Sequence, residues 1–278
     1  MKIHRSEEVI TEIWKSILLT FMWQIRFRRL TGSMMSLIGD EIRDALYPIV
    51  LSFSNIKIRY RITPINSCET IPDKPVIYAC NHFQFTDIPI AMKATGKRSY
   101  ILIGKQNLYW MDRIFFNLLG AIWVDRKDQK ERSDAKAKIL FYLRHGQSIL
   151  WFPEGTWNLT DNLLMLPMRW GIIETADKTQ AQIVPMAIQY DRKKKECFVK
   201  FAEPIYGEKL TDYRIGIQML RDTMATLRWE LMERCLKITT RDEVDHKRLE
   251  EEKNEIIKEY PPLDWEYEKS VIYGRDNL

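Results

Sequence analysis

Short apolar runs alternate with longer amphipathic stretches through the middle of this chain. The runs, such as Val76–Cys80, are continuously apolar, which is typical of strands buried on both faces of a sheet. The stretches between them repeat apolar positions at helical spacing and end at Gly96, Gly120 or Gly146, since glycine closes helices readily. This alternation predicts an α/β domain with a mixed, mostly parallel sheet flanked by helices.

The pattern gives approximate bounds for these elements. Strands are predicted over residues 76–80, 99–103, 121–124, 148–152, 183–189 and 197–201. Helices are predicted over residues 87–95, 108–119, 130–144, 169–177 and 210–235.

The N-terminal part has a different pattern. Residues 16–25 form an uncharged stretch about half as long as the roughly 20 residues of a transmembrane helix. Large apolar side chains such as Trp14 stand beside a basic end that begins at Arg26. This pattern predicts an amphipathic helix, which either lies in the headgroup layer of a membrane or packs on the rest of the protein. A second helical pattern covers residues 34–54, and Pro48 is expected to kink or end it.

Changes in pattern divide the chain into three parts. We predict an N-terminal helical membrane-association segment over 1–55, an α/β domain over 56–236 and a charged C-terminal tail over 237–278. A proline-marked connector between Thr63 and Pro75 precedes the first predicted strand. From Pro261 onward the tail carries Trp265, Tyr267 and Tyr273, and this part either docks on the domain or stays loose.

Composition narrows the class of protein. Apolar residues make up 45% and charged residues 29% of the 278 residues, as in soluble globular proteins, and the net charge is +5. A mean hydropathy of -0.33 excludes a polytopic membrane protein. The mild positive charge suits an anionic surface, whereas the run Lys193–Lys195 is interpreted as a solvated turn, so no nucleic-acid partner is expected. Four widely spaced cysteines indicate reduced thiols, and the four histidines show no zinc-ligand spacing, so no metal site is predicted.

A histidine and an aspartate follow the first apolar run directly. His82 and Asp87 lie five positions apart, across the turn from strand to helix, where open α/β sheets place their sites. A carboxylate on one imidazole nitrogen fixes the tautomer and leaves the other nitrogen able to take a proton from a hydroxyl. The alternative is that Asp87 caps the helix and His82 is an ordinary polar residue at its start.

Two further blocks end predicted strands. Phe152–Thr156 includes Gly155, which permits close approach of the backbone to a ligand, and the Gly155 and Thr156 amides could face an oxyanion. Arg126 ends another strand, and a guanidinium suits phosphate by charge and by geometry. The alternatives are an ordinary strand-to-loop exit and a surface arginine.

Taken together, these blocks resemble the glycerolipid acyltransferase family typified by 1-acyl-sn-glycerol-3-phosphate acyltransferases. That family has an NHxxxxD block, then G-x-x-F/W-x-x-R, then FPEGTR, then a strand with Val/Ile-Pro. This chain has the blocks in the same order within about residues 50–205: Asn81 to Asp87, Gly120 to Arg126, Phe152 to Thr156, and Val184-Pro185. The resemblance implies a glycerol-3-phosphate acyltransferase-like fold.

The resemblance also implies a role for each matched residue. His82 would be the general base on the acceptor hydroxyl and Asp87 its orienting partner. The remaining matched residues would bind substrate: Asn81, Lys105, Arg126, Glu154, Gly155 and Thr156. Among these, Lys105 and Arg126 would face the acceptor's phosphate, Glu154 would bind the acceptor, and Gly155 and Thr156 would lie beside the reacting carbonyl.

The implied reaction is direct transfer of a fatty acyl group from acyl-CoA or acyl-carrier protein to the free hydroxyl of 1-acyl-sn-glycerol-3-phosphate, for phospholipid synthesis. No cofactor beyond the acyl donor is expected, and the expected partners are a membrane surface, the lysolipid and the donor. The sequence lacks a GxSxG block and a Cys beside a His, in agreement with the absence of an acyl-enzyme. Because an imidazole base must be neutral, the rate should fall on the acid side of about pH 6.5.

Two departures leave the acceptor open, and the first is Gln84, two positions after His82, where the family often has a small polar residue. The family's arginine after the FPEGT block is Trp157 here, so one positive charge toward phosphate is missing unless Lys105, Lys127 or Arg169 replaces it. The alternatives are the same chemistry on another lysolipid or glycolipid, or a non-catalytic lipid-binding member of the family. Acidic residues interrupt the first residues, which argues against a signal peptide. The expected location is the cytoplasmic face of a membrane, as a peripheral protein.

Overall fold

The computed structural model describes residues 43, 45–54, 58–70, 74–160, 164–206, 212–260 and 264–273. The chain divides into two compact units, Met1–Pro48 and Ile49–Leu278. Within the first unit the described residues, 43 and 45–48, are helical. The predicted amphipathic stretch at 16–25 lies outside the described residues, and the boundaries predicted at 55 and 236 remain predictions. None of the helices in the described ranges is long and apolar enough to span a bilayer.

The second unit is built on one sheet. Its strands are β1 Arg61–Pro64, β2 Val76–Cys80, β3 Ser99–Gly104, β4 Ala121–Val124, β5 Ser148–Trp151, β6 Gln182–Asp191, β7 Glu196–Phe201 and β8 Ile205–Tyr206. The spatial order is β1-β7-β6-β2-β5-β3-β4, and β8 also pairs with β6. The neighbours from β6 to β4 are parallel, whereas β7 and β8 are antiparallel to β6 and β1 is parallel to β7.

Helices connect the parallel strands and continue beyond the sheet. They are α1 Asp87–Thr95, α2 Trp110–Leu119, α3 Gln129–Arg144, α4 Gly171–Thr179, α5 Tyr213–Leu231, α6 His246–Glu259 and α7 Trp265–Tyr273. A π-helical turn, Met232–Leu236, extends α5, and a 3-10 turn, Arg241–Glu243, precedes α6. The predicted mixed, mostly parallel sheet flanked by helices is therefore confirmed.

The main core lies between the central strands and helices α3 to α5. Ile77, Ile149 and Ile183 occupy adjacent strands and pack in one cluster with Ile172 of α4 and Leu220 of α5, all fully buried. Each such side chain contributes about 1.5–3 kcal/mol by leaving water. This packing fixes the central strands against one another, so their carboxyl ends form a rigid edge.

Every strand and helix predicted for residues 76–201 is present, and no end differs from its predicted position by more than two residues. The long helix predicted over 210–235 is α5 with its π-helical turn. The sequence pattern did not predict β1, which overlaps the predicted connector only at Thr63 and Pro64, or the two-residue β8. It also did not predict α6 and α7. In α6 the buried side chains are only Lys253 and Ile256, so its charged sequence gives almost no apolar stripe.

Four loops meet at one edge of the sheet. They follow β2, β3, β4 and β5, which are mutually parallel neighbours, and they carry residues 81–86, 105–109, 125–128 and 152–157. Ligands bind in open α/β sheets at this carboxyl edge. The residues predicted from separate motifs are therefore brought to one place by the sheet order.

Candidate active site

His82 and Asp87 are in direct contact. The Nδ1 atom of His82 lies 2.9 Å from the Oδ2 atom of Asp87, across the turn that joins β2 to α1. Only 14% of the His82 side chain is exposed, and Asp87 is fully buried. The imidazole also stacks on the Phe152 ring, with 4.1 Å between centroids, which fixes the plane of the ring. Asp87 is therefore in contact with one imidazole nitrogen, as the spacing allows, and its role as orienting partner remains a prediction.

The Asp87 carboxylate receives four donors. Its Oδ2 atom accepts the Phe83 and Gln84 backbone N–H groups at 2.5 and 2.8 Å, in addition to the His82 ring. Its Oδ1 atom accepts a hydrogen bond from the hydroxyl of Tyr190, a residue of β6. Burial, followed by the charge of Asp87, raises the pKa of Tyr190 well above its usual value, so this hydroxyl keeps its proton. Such a set of donors stabilises the ionised carboxylate.

A tryptophan determines the protonation of the other imidazole nitrogen. The indole Nε1–H of Trp157 donates to His82 Nε2 at 2.8 Å. Since an indole nitrogen can only donate, Nε2 must carry the lone pair. Since an ionised carboxylate can only accept, Nδ1 must carry the proton. The contacts on the two sides agree on one tautomer, which is the tautomer that a general base requires.

Asn81 connects two strands. Its side-chain amide donates to the Ile188 carbonyl at 3.0 Å and accepts the Ile188 N–H at 2.7 Å. The side chain is fully buried between the ends of β2 and β6. Both polar ends are thus engaged by backbone, and this placement favours a role in positioning the His82 loop over direct contact with substrate.

Glu154 has a similar placement. It is fully buried, and its two carboxylate oxygens accept the backbone N–H groups of His82 at 3.0 Å and Leu166 at 2.8 Å. Burial raises the pKa of Glu154 to about 7, although these two bonds and the charge of Arg228 act in the opposite direction. Glu154 therefore holds the backbone beneath His82, rather than facing open space as an acceptor-binding residue would.

Arg228 lies beneath the site on α5. Its guanidinium stacks on the Phe83 ring at 3.9 Å and donates to the Leu164 carbonyl. Burial lowers the pKa of Arg228 to about 9, while the charges of Glu154 and Asp87 act to raise it. The sequence analysis missed this residue, because an arginine within a long amphipathic helix is most often exposed.

Arg126 reaches the same edge from the loop after β4. Its Nη1 atom donates to the Gly155 carbonyl at 2.5 Å. A Cβ atom on Gly104 would lie 3.1 Å from Arg126 Nε, so this glycine lets the guanidinium lie against the end of β3. Gly155 itself has a φ of 69°, which favours glycine, and its own N–H donates to the Phe152 carbonyl at 2.9 Å.

A carboxylate of the C-terminal helix α7 forms an ion pair with Arg126. The Glu268 carboxylate accepts hydrogen bonds from both terminal nitrogens of Arg126 and from the Thr156 hydroxyl. It accepts a further one, at 3.2 Å, from the side-chain amide of Gln106. Only 2% of the Glu268 side chain is exposed. We name the three donor residues, Gln106, Arg126 and Thr156, the anion cradle. Each lies in a loop after a different strand, and the sequence analysis missed both Gln106 and Glu268.

The other predicted cationic residues lie in different surroundings. Lys105 is half exposed and pairs with Glu131 at the start of α3. Lys127 lies over the Tyr267 ring at 4.1 Å from its centroid. Arg169 is close enough to Arg126 for their charges to interact, and burial lowers its pKa. Arg169 and Lys127 thus both lie near Arg126, and either could supply the charge that Trp157 does not.

The site residues that the sequence motifs predict fall within a segment that matches a family model. Residues 62–189 match the Acyltransferase family model. This range contains His82, Asp87, Arg126 and Glu154, and it ends before the helices α5 to α7.

Two curated relatives extend the match. The 1-acyl-sn-glycerol-3-phosphate acyltransferase of Saccharomyces cerevisiae is 30% identical over 176 residues, which are 56% of each chain. The Brassica napus protein named 1-acyl-sn-glycerol-3-phosphate acyltransferase BAT2, chloroplastic, is 26% identical over 197 residues, or 65% of this chain and 56% of that one. This chain therefore spans a little over half the length of each of these relatives.

A solved structure has the same fold. The crystal structure of the 1-acyl-sn-glycerophosphate (LPA) acyltransferase PlsC from Thermotoga maritima matches with a TM-score of 0.58. The match covers 82% of this chain and 93% of that one at 15% identity. At this identity the likeness establishes the fold.

Proposed function

We propose that this chain is a member of the glycerolipid acyltransferase family and that it transfers a fatty acyl group from an acyl thioester to the free hydroxyl of 1-acyl-sn-glycerol-3-phosphate. The observation that carries the proposal is the state of His82. Its Nδ1–H points at a buried carboxylate, and its Nε2 lone pair lies at the edge of the sheet where Arg126 also lies.

The first step is attack on the thioester. The acceptor hydroxyl replaces the Trp157 indole N–H at His82 Nε2 and donates its proton there as its oxygen forms a bond to the thioester carbonyl carbon. The carbonyl π electrons move to oxygen, which gives a tetrahedral oxyanion. Asp87 stabilises the imidazolium that forms, because its charge lies 2.9 Å from Nδ1.

The second step releases the products. The oxyanion collapses, the carbon–sulfur bond breaks, and the thiolate takes the proton from His82 Nε2. The imidazole returns to its starting tautomer, so no covalent bond to the protein is needed. The donor is acyl-CoA or acyl-carrier protein in this proposal, since both present the same thioester.

The acceptor's phosphate would bind at Arg126. A guanidinium fork matches the two oxygens that a phosphate presents, and Arg169 adds a second charge nearby. Attachment to the cytoplasmic face of a membrane through the N-terminal segment is proposed on the sequence pattern. Deleting residues 1–30 should then reduce sedimentation with anionic liposomes.

The test of the proposal is identification of lipid products. We would incubate the protein with liposomes, an acyl-CoA and acyl-carrier-protein mixture and a panel of lyso-acceptors, and identify the products by mass spectrometry. His82→Ala should lower the rate by about 10²- to 10⁴-fold, the usual contribution of a general base. The matched control is His145→Ala, an exposed histidine at the end of α3. Equal activity of the two variants would exclude His82 as the base.

A second candidate function is the same reaction on an acceptor with a less anionic headgroup. Trp157 motivates it, because a neutral indole stands where the resembling family has a charge, and Glu268 offsets part of the charge of Arg126. Trp157→Arg should then shift the acceptor preference toward phosphate-bearing lysolipids. An unchanged preference across the panel would remove this candidate.

A further inference from the structure

The anion cradle is filled by a side chain of the same protein. Two oxygens of Glu268 lie on the Arg126 fork, and the Thr156 hydroxyl and the Gln106 amide complete the set of donors. The donors come from the loops after β5 and β3 as well as β4, whereas the acceptor comes from α7, more than a hundred residues beyond Arg126. The loops of the sheet thus form an anion-binding site, and the Glu268 carboxylate of α7 is the anion bound there.

Among the described side chains of α7, Glu268 carries the hydrogen bonds that join the helix to the three loops. Glu268 is also the buried residue among them, whereas Glu266 and Ser270 are exposed. The Tyr267 ring adds contacts with the side chains of Arg126 and Lys127. Displacement of the carboxylate would therefore break these hydrogen bonds between α7 and the loops.

The same C-terminal part also contacts the residue on the catalytic nitrogen. Tyr260, between α6 and α7, lies edge-to-face with Trp157 at 5.4 Å between centroids and stacks on Phe85 at 5.3 Å. Trp157 in turn donates to His82 Nε2. The hydroxyl of an acceptor must reach His82 Nε2, and its phosphate must reach Arg126. In this structure the Trp157 indole is bonded to Nε2, and the Glu268 carboxylate is bonded to Arg126.

We propose that Glu268 is a displaceable internal competitor of the acceptor's phosphate, and that it sets the affinity of the site for phosphate-bearing acceptors. This inference rests on the proposed function, because it takes Arg126 as the phosphate-binding residue. A phosphomonoester offers a guanidinium fork the same pair of oxygens as a carboxylate, with a charge of about −1.5 to −2 rather than −1. An acceptor phosphate can therefore replace Glu268 on Arg126, while Glu268 returns to water with α7.

The kinetic test compares two glutamates of one helix. Glu268→Gln removes the competing charge, and the matched control Glu266→Gln removes a charge from the exposed face of α7. The KM for lysophosphatidate should fall about tenfold in Glu268→Gln, a usual size for coupling between sites, with kcat within about twofold of the wild type. Glu266→Gln should leave both constants unchanged. An unchanged or higher KM in a folded, active Glu268→Gln protein would overturn the inference.

A second measurement needs no variant. Hydrogen–deuterium exchange of the full chain would be compared with and without glycerol 3-phosphate, which carries the phosphate without the acyl chain. The inference requires faster exchange in residues 264–270 together with slower exchange in the loop around Arg126. A bound ligand that leaves 264–270 unchanged or protected would overturn it, as would failure of both wild type and Glu268→Gln to bind glycerol 3-phosphate.

The two proposals fail in different ways. Release of α7 by glycerol 3-phosphate without acyl transfer to any acceptor would exclude the proposed reaction and retain the competitor. Transfer that depends on His82, with the same KM in wild type and Glu268→Gln, would retain the reaction and exclude the competitor.

Discussion

Two buried carboxylates, Asp87 and Glu268, lie at the same edge of the sheet and differ in where their donors come from. Three of the four donors of Asp87 lie within five residues of it, in the turn from β2 to α1, and the fourth is Tyr190. All the donors of Glu268 lie more than a hundred residues away in the chain. The first carboxylate is part of a local motif, whereas the second depends on how the C-terminal helix packs.

This difference indicates different functions for the two groups. A local set of donors keeps its geometry as long as one turn is formed, which suits a group that must orient His82 throughout a reaction. A set assembled from distant loops is lost as a whole when α7 moves, which suits a group that gives way to a ligand. The same substitution, carboxylate to amide, should therefore lower the activity at Asp87 and raise the apparent affinity for acceptor at Glu268.

The largest effect is expected at Asp87. Asp87→Asn places an amide where His82 Nδ1–H, two backbone N–H groups and the Tyr190 hydroxyl need an acceptor. We expect kcat to fall by about 10³-fold or more, because the imidazole loses the partner that fixes its tautomer. Steady-state kinetics, with thermal unfolding to verify the fold, would measure this loss. A folded variant with kcat near the wild-type value would show that the two carboxylates do not differ in the way proposed.

The sequence predicts the first carboxylate and not the second for a physical reason. The pair His82 and Asp87 is joined by a short turn, so its geometry follows from spacing, and the parallel strands follow from continuous apolar runs. Glu268 stands in a charged stretch that carries no such pattern, and its contact with Arg126 depends on tertiary packing across the molecule. The same limit applies to Trp157. Its identity marks a departure from the family pattern, but only the structure gives its bond to His82 Nε2.

A third carboxylate at this edge of the sheet gives a prediction about stability. Glu154 is fully buried, and burial raises its pKa from 4.5 to about 7 although two backbone N–H groups donate to it. A carboxyl group whose pKa is raised in the folded state stabilises the protein fully below the unfolded pKa. That contribution is lost as the pH rises through the folded pKa. The stability that depends on Glu154 should therefore decrease between about pH 4.5 and pH 7.

Glu154→Gln removes this titration. As the pH rises over that range, the unfolding free energy of the wild type should fall by about 3 kcal/mol relative to that of the variant. The figure follows from 1.36 kcal/mol per pKa unit. Urea unfolding at several pH values would measure the difference. The control is Glu233→Gln, which removes an exposed glutamate and is measured over the same pH range. A constant difference for Glu154→Gln would mean that its carboxyl group titrates at the same pH in the folded and unfolded chain.

The smallest effect is expected from the one distant donor of Asp87. Tyr190→Phe removes the hydroxyl that Oδ1 accepts and leaves that oxygen buried without this partner. The loss should cost about 1–3 kcal/mol of stability, and kcat should fall about tenfold, since the local donors still hold the carboxylate. The matched control is Tyr213→Phe, which removes a hydroxyl bonded to Asp177 at 2.7 Å, away from the site. It should leave kcat unchanged. Suppose that Tyr190→Phe lowered kcat as much as Asp87→Asn. The distant donor would then be as important for activity as the local turn, and Asp87 would no longer differ from Glu268 in depending on local donors.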